Sequence, residues 1–127
     1  MLIARFLPTR FHGANDDLWG LALLASPFAF GCADQPAARG TALLFGAGAM
    51  LYSFVTNDEL GPVPVLPVVA HLGLDALAGG ILAILPALLR LQGVAAWTLA
   101  GFGLFSLIAG FVTELTPRGG AVGRGLV

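Results

Sequence analysis

The sequence contains no lysine, and its six arginines stand against seven acidic residues, so the formal net charge is −1. A chain without a basic surplus lacks the positive patch with which proteins bind nucleic acids, and we expect no nucleic-acid partner. Charged residues make up only 10% of the 127 residues, whereas soluble domains carry about 25%. So few charges cannot cover the surface of a soluble domain of this size.

Cysteine is also scarce, since the single Cys32 cannot form an intramolecular disulfide. Arg5 and Arg10 precede an apolar stretch, as in a secretory signal peptide. Asp16 and Asp17 interrupt that stretch, and the residues before Cys32 match a cleavage site poorly, so we expect no cleavage. No H-E-x-x-H, C-x-x-C or nucleotide-binding glycine motif occurs, and no Ser/His/Asp spacing indicates a catalytic triad. We therefore expect a protein without enzymatic activity.

Apolar residues are abundant, at 57% of the chain, and the mean hydropathy is +0.90. They form four runs, at 11–31, 41–56, 69–89 and 94–113. A bilayer is crossed by about 20 apolar residues, and lipid-exposed backbone must satisfy its own hydrogen bonds, which favours helices. The sequence predicts an all-α integral membrane four-helix bundle, with residues 1–127 forming a single membrane domain.

The arginines predict the orientation of this domain. Four accompany the two ends of the chain, including a Gly/Arg-rich tail at 116–127, and two accompany the short turns: Arg5, Arg10, Arg118 and Arg124 against Arg39 and Arg90. Positive residues concentrate on the cytoplasmic side of membrane proteins. We therefore expect both termini in the cytoplasm of a multi-pass protein of the bacterial inner membrane.

The sequence also contains an internal repeat of two spans, about 7–60 and 66–115. A shift of 59 residues aligns Pro8, His12, Asp16, Gly20 and Pro27 with Pro67, His71, Asp75, Gly79 and Pro86. A shift of 57 aligns the two Phe-Val-Thr segments, 54–56 and 111–113. Because each unit contains an even number of spans, both copies enter the membrane from the same side. This predicts a pseudo-two-fold axis along the membrane normal.

The repeated residues of the first and third spans share one helix face. Ionisable side chains are costly in hydrocarbon, so this face should point inward and the two spans should meet across the axis. Gly20 and Gly79 would then allow the backbones of these spans to approach closely. Asp17 has no counterpart, because Ala76 occupies the equivalent position, and it is interpreted as an interfacial charge.

The prolines of the repeat need only a structural explanation. Pro8 and Pro67 lie just before their spans, where the missing N–H of proline is tolerated at a helix start. Pro27 and Pro86 lie near the far ends and should terminate or kink the first and third spans.

The repeated His-x3-Asp-x3-Gly helix, ending in Ser-Pro-Phe at 26–28, resembles the SPW-repeat proteins. These small prokaryotic membrane proteins consist of two-helix repeats and are named for a Ser-Pro-Trp motif. The segments 5–13 and 51–61 are also similar to members with two repeats. Phe28 replaces the Trp, and the second copy, 85–87, keeps only the Pro. The resemblance implies the same architecture and no particular biochemical activity.

The chemistry of the chain lies in one group, which we call the His/Asp cluster: His12, Asp16, His71 and Asp75. Each His can reach its Asp at i+4, and the two pairs converge if the first and third spans touch. Two imidazoles and two carboxylates could bind a divalent metal or relay protons, and a single His could ligate haem or chlorophyll. The structural alternative, which we favour, is that the cluster ties the repeats together without any cofactor.

We therefore predict a structural or accessory subunit of a larger membrane complex, of respiratory or photosynthetic type. Its partners would be the lipid bilayer and other membrane subunits or further copies of itself. One alternative is a small transporter, channel or proton relay that uses the His/Asp cluster. A second alternative is a metal- or haem-binding membrane protein.

Overall fold

The computed structural model describes residues 4–117, which form four α-helices and no strand. The helices are α1 (Thr9–Ala29), α2 (Pro36–Phe54), α3 (Val68–Leu88) and α4 (Gly93–Val112). The all-α prediction is confirmed. The predicted run at 41–56 begins too late, because Pro36 at the start of α2 is a favourable first helical residue. Most of the predicted Gly/Arg-rich tail, 118–127, lies outside the described residues.

Proline marks both ends of the two equivalent helices α1 and α3. Pro8 and Pro67 are the N-cap residues, and the first turn follows directly. Pro27 and Pro86 lie in the last turn of their helices. The carbonyl groups of these two prolines accept hydrogen bonds from the backbone of Cys32 and Leu91, each at 2.8 Å. The repeat therefore fixes where these helices start and stop.

Helices pack mainly within each repeat, α1 against α2 and α3 against α4. A Cβ atom at Gly79 would lie 2.7 Å from the carbonyl oxygen of Gly103, and one at Gly20 would lie 3.2 Å from that of Gly46. The predicted close approach of the first and third spans at Gly20 and Gly79 was therefore wrong. The His/Asp side chains fill the space between α1 and α3, and the glycines contact the second helix of their own repeat instead.

The start of each repeat is hydrogen-bonded to the end of the other. The backbone N–H of Leu66 donates to Val55 at 2.7 Å, and the N–H of Leu7 donates to Val112 at 3.1 Å. Each contact continues as an isolated parallel bridge, Thr56 with Leu66 and Leu7 with Thr113. The residues of the two contacts are related by the shifts of 59 and 57 residues that define the sequence repeat. The two repeats are therefore joined by two equivalent junctions.

The main apolar core is small, and much of the outer surface is apolar as well. Four buried side chains form the main core, namely Leu23, Ala42, Leu82 and Leu99. Many large hydrophobic side chains are more than half exposed, among them Leu44, Leu77, Leu88 and Trp97. Among the described residues, α3 and α4 are long and apolar enough to cross a membrane.

Candidate functional site

The His/Asp cluster lies between α1 and α3. His12 and Asp16 come from α1, His71 and Asp75 come from α3, and all four residues are buried. One face of each helix thus places two ionisable side chains inside the bundle. The imidazole rings meet edge to face, with centroids 5.4 Å apart. The convergence expected from the shared helix face is present in the structure.

The shortest contacts of the cluster cross between the repeats. His12 Nε2 lies 2.7 Å from Asp75 Oδ2, and His71 Nε2 lies 2.6 Å from Asp16 Oδ2. The contacts within one helix are longer, 3.0 Å for His12 with Asp16 and 3.3 Å for His71 with Asp75. Nitrogen and oxygen atoms therefore alternate around a closed ring, and each repeat supplies half of it.

One threonine contacts Nδ1 of each imidazole, the nitrogen that does not face the carboxylates. Thr113 Oγ1 lies 2.7 Å from His12 Nδ1, and Thr56 Oγ1 lies 2.5 Å from His71 Nδ1. Each hydroxyl donates its only proton to a carbonyl oxygen four residues earlier, that of Ala109 at 2.7 Å or that of Tyr52 at 2.6 Å. The hydroxyl oxygen is then an acceptor, so both Nδ1 atoms must carry a hydrogen.

This assignment of tautomers shows that the four Nε2 and Oδ2 atoms of the cluster need positive charge between them. A neutral imidazole protonated at Nδ1 presents a lone pair at Nε2, and ionised carboxylates are acceptors only. Four acceptor atoms cannot lie together in an apolar interior without positive charge between them. The ring must therefore hold protons at its nitrogen–oxygen contacts or a cation at its centre.

Tyr52 makes the site asymmetric. Its hydroxyl donates to Asp75 Oδ1 at 2.6 Å, and its ring contacts His71 edge to face with centroids 4.9 Å apart. The equivalent residue of the second repeat is Ala109, which has no hydroxyl to offer Asp16. The side chain of Asp16 is also the most exposed of the four, at 10% against 3% for Asp75. Access to the cluster is therefore easiest from the Asp16 side.

The connection between α2 and α3 closes one end of the bundle with further polar contacts. Asp58 is buried and accepts hydrogen bonds from the backbone of Leu60 at 3.0 Å and Gly61 at 2.7 Å. Burial raises the pKa of Asp58, against the opposing effect of these two backbone donors. Thr9, at the start of α1, donates to the carboxylate of Glu59 at 2.7 Å. This connection therefore fastens the start of the first repeat.

Sequence reasoning missed the residues that surround the cluster. Thr56 and Thr113 belong to the repeated Phe-Val-Thr segments, so the repeat itself could have identified them as partners of the repeated histidines. Tyr52 carried no such signal, because its position is not repeated. Asp17, interpreted as an interfacial charge, is exposed and accepts a hydrogen bond from Ser53 at 3.3 Å.

The geometry favours small cations or protons over a porphyrin in this site. Both Nε2 atoms face carboxylate oxygens inside the ring, and both Nδ1 atoms are bound to threonine. Neither imidazole presents a ring nitrogen to the grooves on the helix surface. Haem or chlorophyll ligation, one of the alternatives considered from the sequence, would require these hydrogen bonds to be broken.

Comparison with known proteins adds no assignment. The sequence matches no protein-family model, no curated protein and no solved structure. The resemblance to the SPW-repeat proteins stays a prediction that rests on the repeated residues. Function must be inferred from the geometry of the chain itself.

Proposed function

We propose that this protein is a multi-pass integral membrane protein of the SPW-repeat type, which serves without enzymatic activity as a structural or accessory subunit of a larger membrane assembly. The observation that carries the proposal is the distribution of polarity. Large apolar side chains such as Leu44, Leu77 and Trp97 point outward, while the His/Asp pairs of α1 and α3 bind one another inside. Such a chain is inverted relative to a soluble domain.

All four helices have the length of membrane spans. They contain 19 to 21 residues, which at about 1.5 Å per residue gives about 30 Å, the thickness of the hydrocarbon core. Asp16 and Asp17 lower the apolar character of α1, yet Asp16 is paired inside the cluster. In the proposed arrangement the axis relating the repeats lies along the membrane normal. The arginine distribution supports a location of both termini on the cytoplasmic side of the bacterial inner membrane.

The surface grooves support a structural role over a transport path. Three grooves between helices have volumes of about 360, 190 and 390 Å³, and apolar side chains form most of their walls. None of the four cluster residues lines these grooves, and their polar groups bind one another. Apolar walls of this kind suit lipid chains or the helices of neighbouring subunits. The proton-relay alternative would instead require exchange paths that connect the cluster with both sides of the membrane.

The assembly can be tested by gentle solubilisation of native membranes that contain the tagged protein. We expect native electrophoresis to show it in a complex well above the 13.0 kDa of the chain, with the same membrane proteins recovered in each preparation. Membranes carrying the tag alone are the control. A monomer as the only species would contradict the proposal.

The relay alternative needs a separate measurement. We expect proton flux into liposomes to stay at the background level, both with the wild-type protein and with the variant His12→Ala/His71→Ala. A wild-type flux that this variant abolishes would favour the relay over the structural role.

A further inference from the structure

The ligand atoms of the His/Asp cluster lie close to the spacing of a metal shell. Neighbouring atoms around the ring are 2.6, 2.7, 3.0 and 3.3 Å apart, and all four lie within 4.8 Å of one another. A zinc ion with ligands at 2.0–2.2 Å holds them about 3.3–3.6 Å apart in a tetrahedron. Small side-chain rotations would therefore convert the ring of hydrogen bonds into four coordination bonds.

The threonines orient the histidines as metal ligands. A histidine that ligates a metal through one nitrogen usually donates the hydrogen of the other nitrogen to an oxygen acceptor, which orients the ring. Thr113 and Thr56 supply that acceptor here, and each is held in turn by a backbone carbonyl. Both Nε2 atoms thereby keep a lone pair on the side of the carboxylate oxygens. Tyr52 orients the carboxylate of Asp75 in the same manner.

Charge and donor type narrow the choice of ion. Two neutral imidazoles and two carboxylates carry a charge of −2, which one divalent cation neutralises in the apolar interior. Two nitrogen and two oxygen donors suit first-row transition metals, whereas Mg²⁺ and Ca²⁺ prefer shells made entirely of oxygen. Four protein ligands leave no open position, which is the arrangement of structural zinc sites and not of catalytic ones.

We propose that the His/Asp cluster is a structural site for one divalent transition-metal ion of the zinc type, bound by Nε2 of His12 and His71 and by Oδ2 of Asp16 and Asp75. The ion links α1 to α3 and so holds the two repeats together. Asp16, the most exposed ligand, lies on the side from which the ion enters. All four ligands come from one chain, so the site does not depend on a larger assembly.

The first test is the metal content of the purified full-length protein in mild detergent. We expect about one equivalent of zinc by elemental analysis after gel filtration. After removal of the zinc, added Co²⁺ should give the intense visible absorption of a tetrahedral site with nitrogen and oxygen ligands. Folded wild-type protein that binds neither ion would overturn the proposal, and this result does not depend on any variant.

Neighbouring acids supply the matched variants. Asp16→Asn removes a ligand with little change of shape, and Asp17→Asn alters the exposed acid beside it. We expect Asp17→Asn to bind Co²⁺ as the wild type does, and Asp16→Asn to bind at least tenfold more weakly while circular dichroism shows unchanged helix content. Equal binding by both variants would mean that the ion sits elsewhere, which also overturns the proposal.

A third variant tests whether threonine orients the histidines for metal binding. Thr113→Val removes the acceptor of the His12 Nδ1 hydrogen and should weaken Co²⁺ binding about 10- to 100-fold while leaving the visible spectrum tetrahedral. Thr98→Val, at a partly buried position of α4 that no residue of the cluster contacts through a hydrogen bond in the described chain, should leave the affinity unchanged. An undiminished affinity in Thr113→Val would contradict the role assigned to the threonine.

Discussion

At the scale of single residues, two adjacent acids have opposite surroundings. Asp16 is buried and contacts both histidines of the cluster, at 2.6 and 3.0 Å. Asp17 is exposed and accepts a hydrogen bond from the hydroxyl of Ser53 at a long 3.3 Å. A buried ion pair loses far more when one partner is removed than an exposed pair does, because the remaining charge stays uncompensated.

Replacing these two acids by alanine should therefore have very different effects. We expect Asp16→Ala to lower the free energy of unfolding by about 3–5 kcal/mol, since His71 loses its closest partner. Asp17→Ala should change it by about 0.5 kcal/mol or less, as is usual for exposed positions. Unfolding of the metal-free protein in detergent measures both values. Similar losses in the two variants would show that the cluster does not hold the fold together.

The sequence predicted which residues form the cluster but not how they pair. The rule that ionisable side chains face inward was sufficient to bring His12, Asp16, His71 and Asp75 together. Pairing across the repeats depends on differences of a few tenths of an ångström between competing contacts, which helix periodicity cannot resolve. Tyr52 could not be predicted for a different reason, because only the fold brings α2 close to Asp75.

At the scale of helices, two adjacent glycines of α3 differ in whether they contact another helix. Gly79 lies against the backbone of α4, where an added Cβ would be 2.5 Å from the nitrogen of Leu107 and 2.7 Å from the oxygen of Gly103. An added Cβ at the next residue, Gly80, would meet nothing within 4 Å. The close contact of α3 with α4 therefore depends on one glycine of this adjacent pair.

Alanine substitutions at this pair should change stability in opposite directions. Gly79→Ala forces two backbones apart and should destabilise the protein by about 1–3 kcal/mol, the usual cost of overpacking. Gly80→Ala should be neutral or stabilising by about 0.5–1 kcal/mol, because alanine is the better helix former. Thermal unfolding of both variants in the same detergent makes the comparison. Tolerance of Gly79→Ala would contradict the α3–α4 contact described here.

The wrong prediction for the glycines has a geometric origin. Residues four apart on a helix differ by about 40° in direction. Gly79 follows His71 by eight residues and so points about 80° away from it. The sequence grouped both residues on one broad face, yet that angle is enough for His71 to face α1 while Gly79 faces α4.

At the scale of the whole molecule, hydropathy supports two of the four predicted spans, and the repeat relates these two to the other two. Hydropathy identifies α3 and α4 as candidate membrane spans among the described residues, because α1 contains acids and α2 contains several small residues. The repeat makes α1 the equivalent of α3 and α2 the equivalent of α4, and the paired junctions at Leu7 and Leu66 agree with that correspondence. Four spans with both termini on one side follow if equivalent helices have equivalent environments.

This arrangement can be tested by labelling single cysteines in cells. With Cys32 replaced by alanine, new cysteines at the exposed positions Asp34, Leu60 and Gln92 probe the three connections between helices. We expect an impermeant maleimide added outside to label Asp34→Cys and Gln92→Cys but not Leu60→Cys, which should react only after permeabilisation. The short turns and the long connection then lie on opposite sides, as four spans require. Labelling of all three from one side would rule out the four-span arrangement, whereas the reverse pattern would keep it and invert the orientation inferred from the arginines.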